Sequence, residues 1–208
     1  MKNFKSFSVM VFALTLLLLP LGEGNAFAAS TLRSITMYAP DYVHVGWGEN
    51  IDIEAQYSDN SYMDISTLAS VIASNDDGRA RFTKSGNYLT MTGTKAGWVT
   101  VDVSYTEGSI TKTTYKNIKV KPSFGFNYPG GLRAGRTFQT KATIYYEENK
   151  PEDVTNFVTY TSSNPTVATV SSTGLITALK PGVTTITYSY KEKIFGETLR
   201  YTEKLTVD

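Results

Sequence analysis

Over long stretches of the chain apolar residues recur at every second position. Ile51, Ile53, Ala55 and Tyr57 alternate with Asp52, Glu54 and Gln56, and Val99, Val101, Val103 and Tyr105 alternate with Thr100, Asp102 and Ser104. A period of two puts the two sets on opposite faces of an extended chain, so these segments are predicted to be half-buried strands with the carboxylates and hydroxyls outward. Thr, Val, Ile and Tyr are abundant and runs of helix formers are missing. Turn signals such as Ser58-Asp59-Asn60, Asp77-Gly78, Ser85-Gly86-Asn87, Glu148-Asn149-Lys150 and Pro181-Gly182 separate the strands. Many short strands at this spacing predict an all-β protein of antiparallel β-sandwiches.

The pattern occurs twice. Gly97-Trp98-Val99-Thr100-Val101-Asp102-Val103-Ser104-Tyr105 lines up with Gly182-Val183-Thr184-Thr185-Ile186-Thr187-Tyr188-Ser189-Tyr190, and Lys95 with Lys180, at a separation of 85 residues. Ala73-Ser74-Asn75 matches Ser162-Ser163-Asn164 and Asp64-Ile65 matches Asp153-Val154 at 89, so the first copy carries four extra residues around Asp76 to Tyr88. Gly48 with Ile51 pairs with Gly135 with Phe138, and Ile118-Lys119-Val120 with Leu205-Thr206-Val207, at 87. Insertions of this kind belong in loops. Two domains are expected, 32–121 and 122–208, joined at Lys121-Pro122, where the proline stiffens the connection.

Residues 1–28 read differently. Lys2 and Lys5 precede an apolar run from Phe7 to Leu19, and Pro20 and Gly22 break it before Ala26-Phe27-Ala28. This is the pattern of a secretory signal peptide cleaved after Ala28, and the 13-residue run falls short of the roughly 20 needed to span a bilayer. Cleavage takes Lys2, Lys5 and Glu23 away, so the balance of 20 basic against 19 acidic side chains becomes 18 against 18 over 180 residues. Glu203 to Asp208 carry no hydrophobic tail, sorting motif or basic cluster, so a secreted protein with no membrane span after cleavage is expected, extracellular or associated with the cell surface.

One segment carries a family resemblance. Tyr160-Thr161-Ser162-Ser163-Asn164-Pro165-Thr166-Val167-Ala168-Thr169-Val170, then Gly174-Leu175-Ile176-Thr177-Ala178, then Pro181-Gly182-Val183-Thr184-Thr185-Ile186-Thr187 resembles the bacterial immunoglobulin-like group 2 (Big_2) repeat. The first copy is degenerate: Asp76-Asp77 stands in place of Asn164-Pro165-Thr166, and Ala80-Arg81-Phe82 in place of Val167-Ala168-Thr169-Val170, with Met91 for Ile176 and Gly93 for Ala178. The resemblance implies two tandem immunoglobulin-like sandwiches, of a kind found in secreted and cell-surface proteins as spacers or binding units. The residues support such a fold physically. Asn164-Pro165 bars helix, Gly174 and Gly182 permit positive φ at reversals, and Val167, Val170, Ile176, Ala178 and Ile186 are the expected core.

Composition narrows the chemistry. With no cysteine there is no disulfide, thiolate nucleophile or Cys-based metal site, and one histidine cannot build a metal cage, so no cofactor or metal site is expected. The balanced charge argues against nucleic acid. A triad would have to use His44, which is expected on a short first strand opposite the face of Val43 and Val45, with no Gly-x-Ser-x-Gly elbow to meet it. Asp76-Asp77, Glu147-Glu148 and Glu152-Asp153 are adjacent in sequence and are expected as solvated turn acids, so the chain reads as a non-enzyme.

Aromatic side chains offer the alternative. Trp47 between Gly46 and Gly48 is expected at a loop tip with Tyr42 nearby, and Phe124, Phe126 and Tyr128 form a stripe ahead of Pro129-Gly130-Gly131. These five are the candidate binding residues, facing an envelope or matrix polysaccharide or a surface protein, although the stripe also suits core filling or an interdomain contact. The expected role is a secreted, non-catalytic binding or adhesion module. Alternatives are a matrix spacer that self-associates and, third, a wall-active enzyme.

Overall fold

The computed structural model describes residues 29–74 and 77–208; the expected signal segment, together with Asn75 and Asp76, lies outside the described residues. Nine strands make the first unit: β1 (Leu32–Tyr38), β2 (Tyr42–His44), β3 (Gly48–Tyr57), β4 (Tyr62–Asp64), β5 (Ser70–Ser74), β6 (Ala80–Ser85), β7 (Tyr88–Gly93), β8 (Gly97–Glu107) and β9 (Ile110–Lys121). One sheet has the order β1-β3-β7-β6 with β4 beside β3, and the other has the order β2-β9-β8-β5. The second unit comprises β10 (Ser123–Phe126), β11 (Gly131–Leu132), β12 (Thr137–Gln139), β13 (Ala142–Glu147), β14 (Lys150–Asp153), β15 (Thr159–Ser162), β16 (Ala168–Val170), β17 (Leu175–Ala178), β18 (Gly182–Lys191) and β19 (Thr198–Val207). Its orders are β10-β13-β14, β12-β17-β16 and β11-β19-β18-β15. Apart from one strand that is divided in two, this is the first arrangement again.

The alternation read from sequence sets which side is buried. Ile51, Ile53 and Ala55 are fully enclosed, as are Val101, Ile118 and Met91, and in the second unit Ile176, Ala178, Ile186, Tyr188 and Leu205. Val167 is buried too, and Val170 is half-buried against the same core. Burying a side chain of this size is worth about 1.5–3 kcal/mol, and with no cysteine in the chain that burial carries the fold.

Three features depart from the expected pattern. First, β1 precedes the strand that bears His44, so His44 lies on the second strand. A bulge slips the register between Leu32 and Ser34, so Leu32 and Ile35 are both buried although they stand three apart, and no clean alternation results. Second, pairing is antiparallel except at β2–β9 and β11–β19. In each unit the chain leaves one sheet after β1 or β10 and crosses to the other without reversing, which makes it parallel to the unit's last strand. Third, where β3 is a single ten-residue strand, its counterpart is cut into β12 and β13 at Thr140 and Lys141. The buried Thr140 satisfies the break: its N–H donates to the Gly174 carbonyl (3.0 Å) and its hydroxyl to the Asn127 carbonyl (2.6 Å). Gly174 has φ +79°, and a Cβ there would lie 2.7 Å from the Thr140 methyl, so glycine is required for both conformation and space.

The two units touch on either side of the short connection. The N–H of Ala96 donates to the Tyr146 carbonyl and that of Glu148 to the Thr94 carbonyl, both at 2.7 Å, so the loop after β7 pairs with the end of β13. Arg81 and Glu148 reinforce it with an ion pair at 3.0 Å. The acids expected to be solvated are exposed, and each also has a surface partner: Glu147 with Lys150 (2.6 Å), Glu152 with Lys193 (2.8 Å), Asp77 with Arg79 (3.1 Å), and Asp153 with the Thr155 hydroxyl (2.6 Å). Lys150, Arg79 and Thr155 lie within three residues of the acids they meet, whereas Lys193 comes from the β18–β19 hairpin, 41 residues beyond Glu152.

Candidate binding surface

The aromatic candidates separate into two groups. Trp47 sits at the β2–β3 turn, which closes through its N–H donating to the His44 carbonyl (3.0 Å) with Gly46 at φ +80°, and 66% of the residue is exposed. Tyr42 is exposed on β2, edge-on to His44 at 5.6 Å, with the Lys121 ammonium 4.4 Å from the centre of its ring. Phe124, Phe126 and Tyr128 are half-buried instead. Phe126 stacks on the enclosed Tyr188 at 4.1 Å, and Phe124 stacks on Tyr190 (5.9 Å) and Tyr201 (5.6 Å). No ring contact among the described residues joins this stripe to Trp47 or Tyr42. His44 brings Nδ1 to 3.1 Å from the Pro122 carbonyl, tying β2 to the connection between the units.

Aromatic residues not singled out by the sequence reading are more exposed than the stripe. On the outer face of the β2-β9-β8-β5 sheet stand Trp98 (58% exposed), Tyr115 (69%) and Ile72 (60%). Trp98 is opposite Lys119, which is in turn opposite Tyr42, and Asp102 lies between Tyr115 and Ile72. A signal for them exists in the alternation: Trp98 keeps phase with Thr100, Asp102 and Ser104, and Tyr115 with Thr113 and Asn117, so both belong to the outward set. Between the rings the Thr100 hydroxyl donates to the Asn117 side-chain oxygen (2.8 Å) and Ser74 donates to Asp102. A shallow depression beside them is lined by Ser70, Ile72, Asp102, Ser104, Thr113 and Tyr115.

At the end of this face the β18–β19 hairpin of the second unit comes in. Phe195 meets Trp98 edge-on at 6.3 Å, and the Lys119 ammonium lies 4.1 Å from the centre of the Phe195 ring. Glu197 accepts from Lys119 and pairs with Lys121 at 3.3 Å. The Lys119 hydrogen bond, aided by Lys121, holds the Glu197 carboxyl below the usual carboxylate range, against the opposing effect of burial. The outer face of the other sheet is acidic, with Asp52, Glu54 and Asp64, and the Glu54 carboxylate raises the Tyr38 hydroxyl.

Among the described residues no three His, Cys, Asp or Glu side chains gather as metal ligands, and no helix is long and apolar enough to cross a membrane. Two tandem sandwiches of this strand order define an all-β protein of immunoglobulin-like architecture. More particularly, residues 132–199 match the family Bacterial Ig-like domain (group 2), so the second unit is a domain of that family; the first unit repeats its strand order outside the match. No curated protein matches the chain. Among solved structures it is similar to the S-layer protein SbsC, with 16% identity over 86% of this chain and a TM-score of 0.32. It is also similar to the ICAM-5 D1–D4 ectodomain, with 15% identity over 86% of this chain and 48% of that one and a TM-score of 0.35. A third is a SusE-like surface-located polysaccharide-binding protein of Bacteroides thetaiotaomicron, with 15% identity over 86% of this chain and 34% of that one and a TM-score of 0.28. The chain spans 28% of the SbsC structure.

Proposed function

We propose that the protein is exported and acts outside the cell as a non-catalytic immunoglobulin-like binding or adhesion module, engaging an envelope or matrix polysaccharide or a surface protein. The observation that carries this reading is the exposure of both tryptophans, 66% for Trp47 and 58% for Trp98. Tryptophan is the largest apolar side chain and is highly buried on average, and a sandwich without disulfides has every energetic reason to use it inside. Leaving both in water is offset when a ligand covers them. The signal-like segment over 1–28 supports export, and the engagement of His44 with the Pro122 carbonyl fits a structural role for the single imidazole.

The test is sedimentation of the mature protein with purified cell walls and with exopolysaccharide from the producing cells. Retention on at least one of them is expected, weaker for Trp47→Ala than for wild type, with fractionation of the cells placing the protein in wall or matrix. Wild-type protein that stays in the supernatant with both materials contradicts the reading.

A further inference from the structure

We infer that the outer face of the β2-β9-β8-β5 sheet, with Trp98 and Tyr115 as its two aromatic platforms, is a binding site for a neutral polysaccharide chain. The inference rests on the binding reading above and names the ligand class and the site. Its first support is spacing. Trp98 on β8 is opposite Lys119 on β9, and Tyr115 precedes Lys119 by four residues, so at about 3.4 Å per residue the rings are about 14 Å apart along the strands and one strand apart sideways, roughly 5 Å. That is the reach of a short oligosaccharide lying nearly parallel to the strands.

Its second support is what lies between the rings. Thr100 and Asn117, and Asp102 beside Tyr115, present hydroxyl, amide and carboxylate groups along the path. A pyranose has apolar C–H faces that stack on aromatic rings and a rim of hydroxyls that both donate and accept, and this face offers those two chemistries in that order. A protein partner or a second copy would need a contiguous apolar centre, whereas here the apolar positions are separated by polar ones.

Charge decides between neutral and anionic chains. The lysines at the Trp98 end, Lys119 and Lys121, are already paired with Glu197, and at the Tyr115 end Asp102 accepts from Ser74 and is flanked in register by Tyr115 and Ile72 rather than by a cation. A uronic acid or phosphate-bearing polymer would meet a carboxylate rather than a free ammonium.

Electrophoresis of the mature protein through native gels containing dextran, mannan or a β-1,3-glucan, with polygalacturonate as the anionic probe, tests this directly. Retardation by at least one neutral polymer is expected. Tyr115→Ala and Trp98→Ala each weaken it about ten-fold, while Phe157→Ala, an exposed aromatic of the second unit, leaves it unchanged. Because Trp98 also touches Phe195, Tyr115→Ala is the deciding variant, since it leaves the junction between the units intact. Three results overturn the inference: no retardation by any neutral polymer, retardation by polygalacturonate alone, or retardation that Tyr115→Ala does not weaken. If any of these occurs while the wild type still sediments with walls, the binding reading stands and only the site and ligand class fall.

Discussion

Ile186 and Tyr128 illustrate how far single side chains carry the second unit. Ile186 is fully enclosed on β18, facing Ser162 of β15 on one side and Glu203 of β19 on the other in register. An aspartate there would bury a carboxylate with no counter-charge, a cost of several kcal/mol that is comparable to the whole stability of a small domain. Ile186→Asp is therefore expected to abolish cooperative melting of the second unit by calorimetry, and retention of that transition would contradict the assigned core. Tyr128 presents the converse case, because its hydroxyl is buried without a hydrogen-bond partner and burial raises its pKa. Tyr128→Phe removes an unsatisfied group and keeps the ring, so stability should stay level or rise by about 1 kcal/mol, about 4–8 °C in melting temperature. A fall would show that the hydroxyl is bonded. Ile186 was legible from the repeat, in which it aligns with Val101 of the first copy. Tyr128 was legible only as part of a stripe, since the rings that cover its neighbours, Tyr188 and Tyr201, arrive more than 50 residues later.

Among the elements, the β18–β19 hairpin depends on a buried acid. Glu192 is 2% exposed, and its carboxylate accepts the N–H groups of Ile194 (2.7 Å), Phe195 (2.9 Å) and Glu197 (3.0 Å), which fixes the turn that carries Phe195 and Glu197 to the first unit. Hydrogen bonds to a charged group are worth about 1.5–3 kcal/mol, and Glu192→Gln turns one acceptor oxygen into a donor facing N–H groups. The second unit should lose about 1–3 kcal/mol, read as a lower midpoint in urea at unchanged m-value; an unchanged midpoint would mean that the turn holds without the charge. Local pattern revealed β3 and β8 because each keeps one phase from end to end. It hid β1, where a bulge breaks the phase, and the cut between β12 and β13, which is satisfied by Asn127 and Gly174 from other parts of the chain. The face bearing Trp98 and Tyr115 was written in the polar phase of β8 and β9, yet only the pairing of the two strands sets those rings on one surface.

At the scale of the molecule, two kinds of contact hold the units against each other, and they respond differently to acid. The pairing of Thr94 and Ala96 with Tyr146 and Glu148 is made by backbone groups that do not titrate, whereas the grip of Lys119 and Lys121 on Glu197 needs an ionised carboxylate. The carboxyl of Glu197 is held below its ordinary value in the folded protein, so its contribution is complete above the unfolded value of about 4.3 and is lost as pH falls through the lower folded value. Glu197 is partly exposed, so salt also weakens the grip. Spin labels on the two units should report a narrow distance distribution at pH 7 that broadens below about pH 4 and, more modestly, in 1 M salt. In Glu197→Gln the distribution should already be broad at pH 7, and its pH dependence should shrink. The partners Lys119 and Glu197 stand 78 residues apart, which is why the proline connection was legible and the clamp was not. A wild-type distribution that ignores both acid and Glu197→Gln would assign the orientation of the units to contacts other than the Glu197 clamp, the backbone pairing at Ala96 and Glu148 among them.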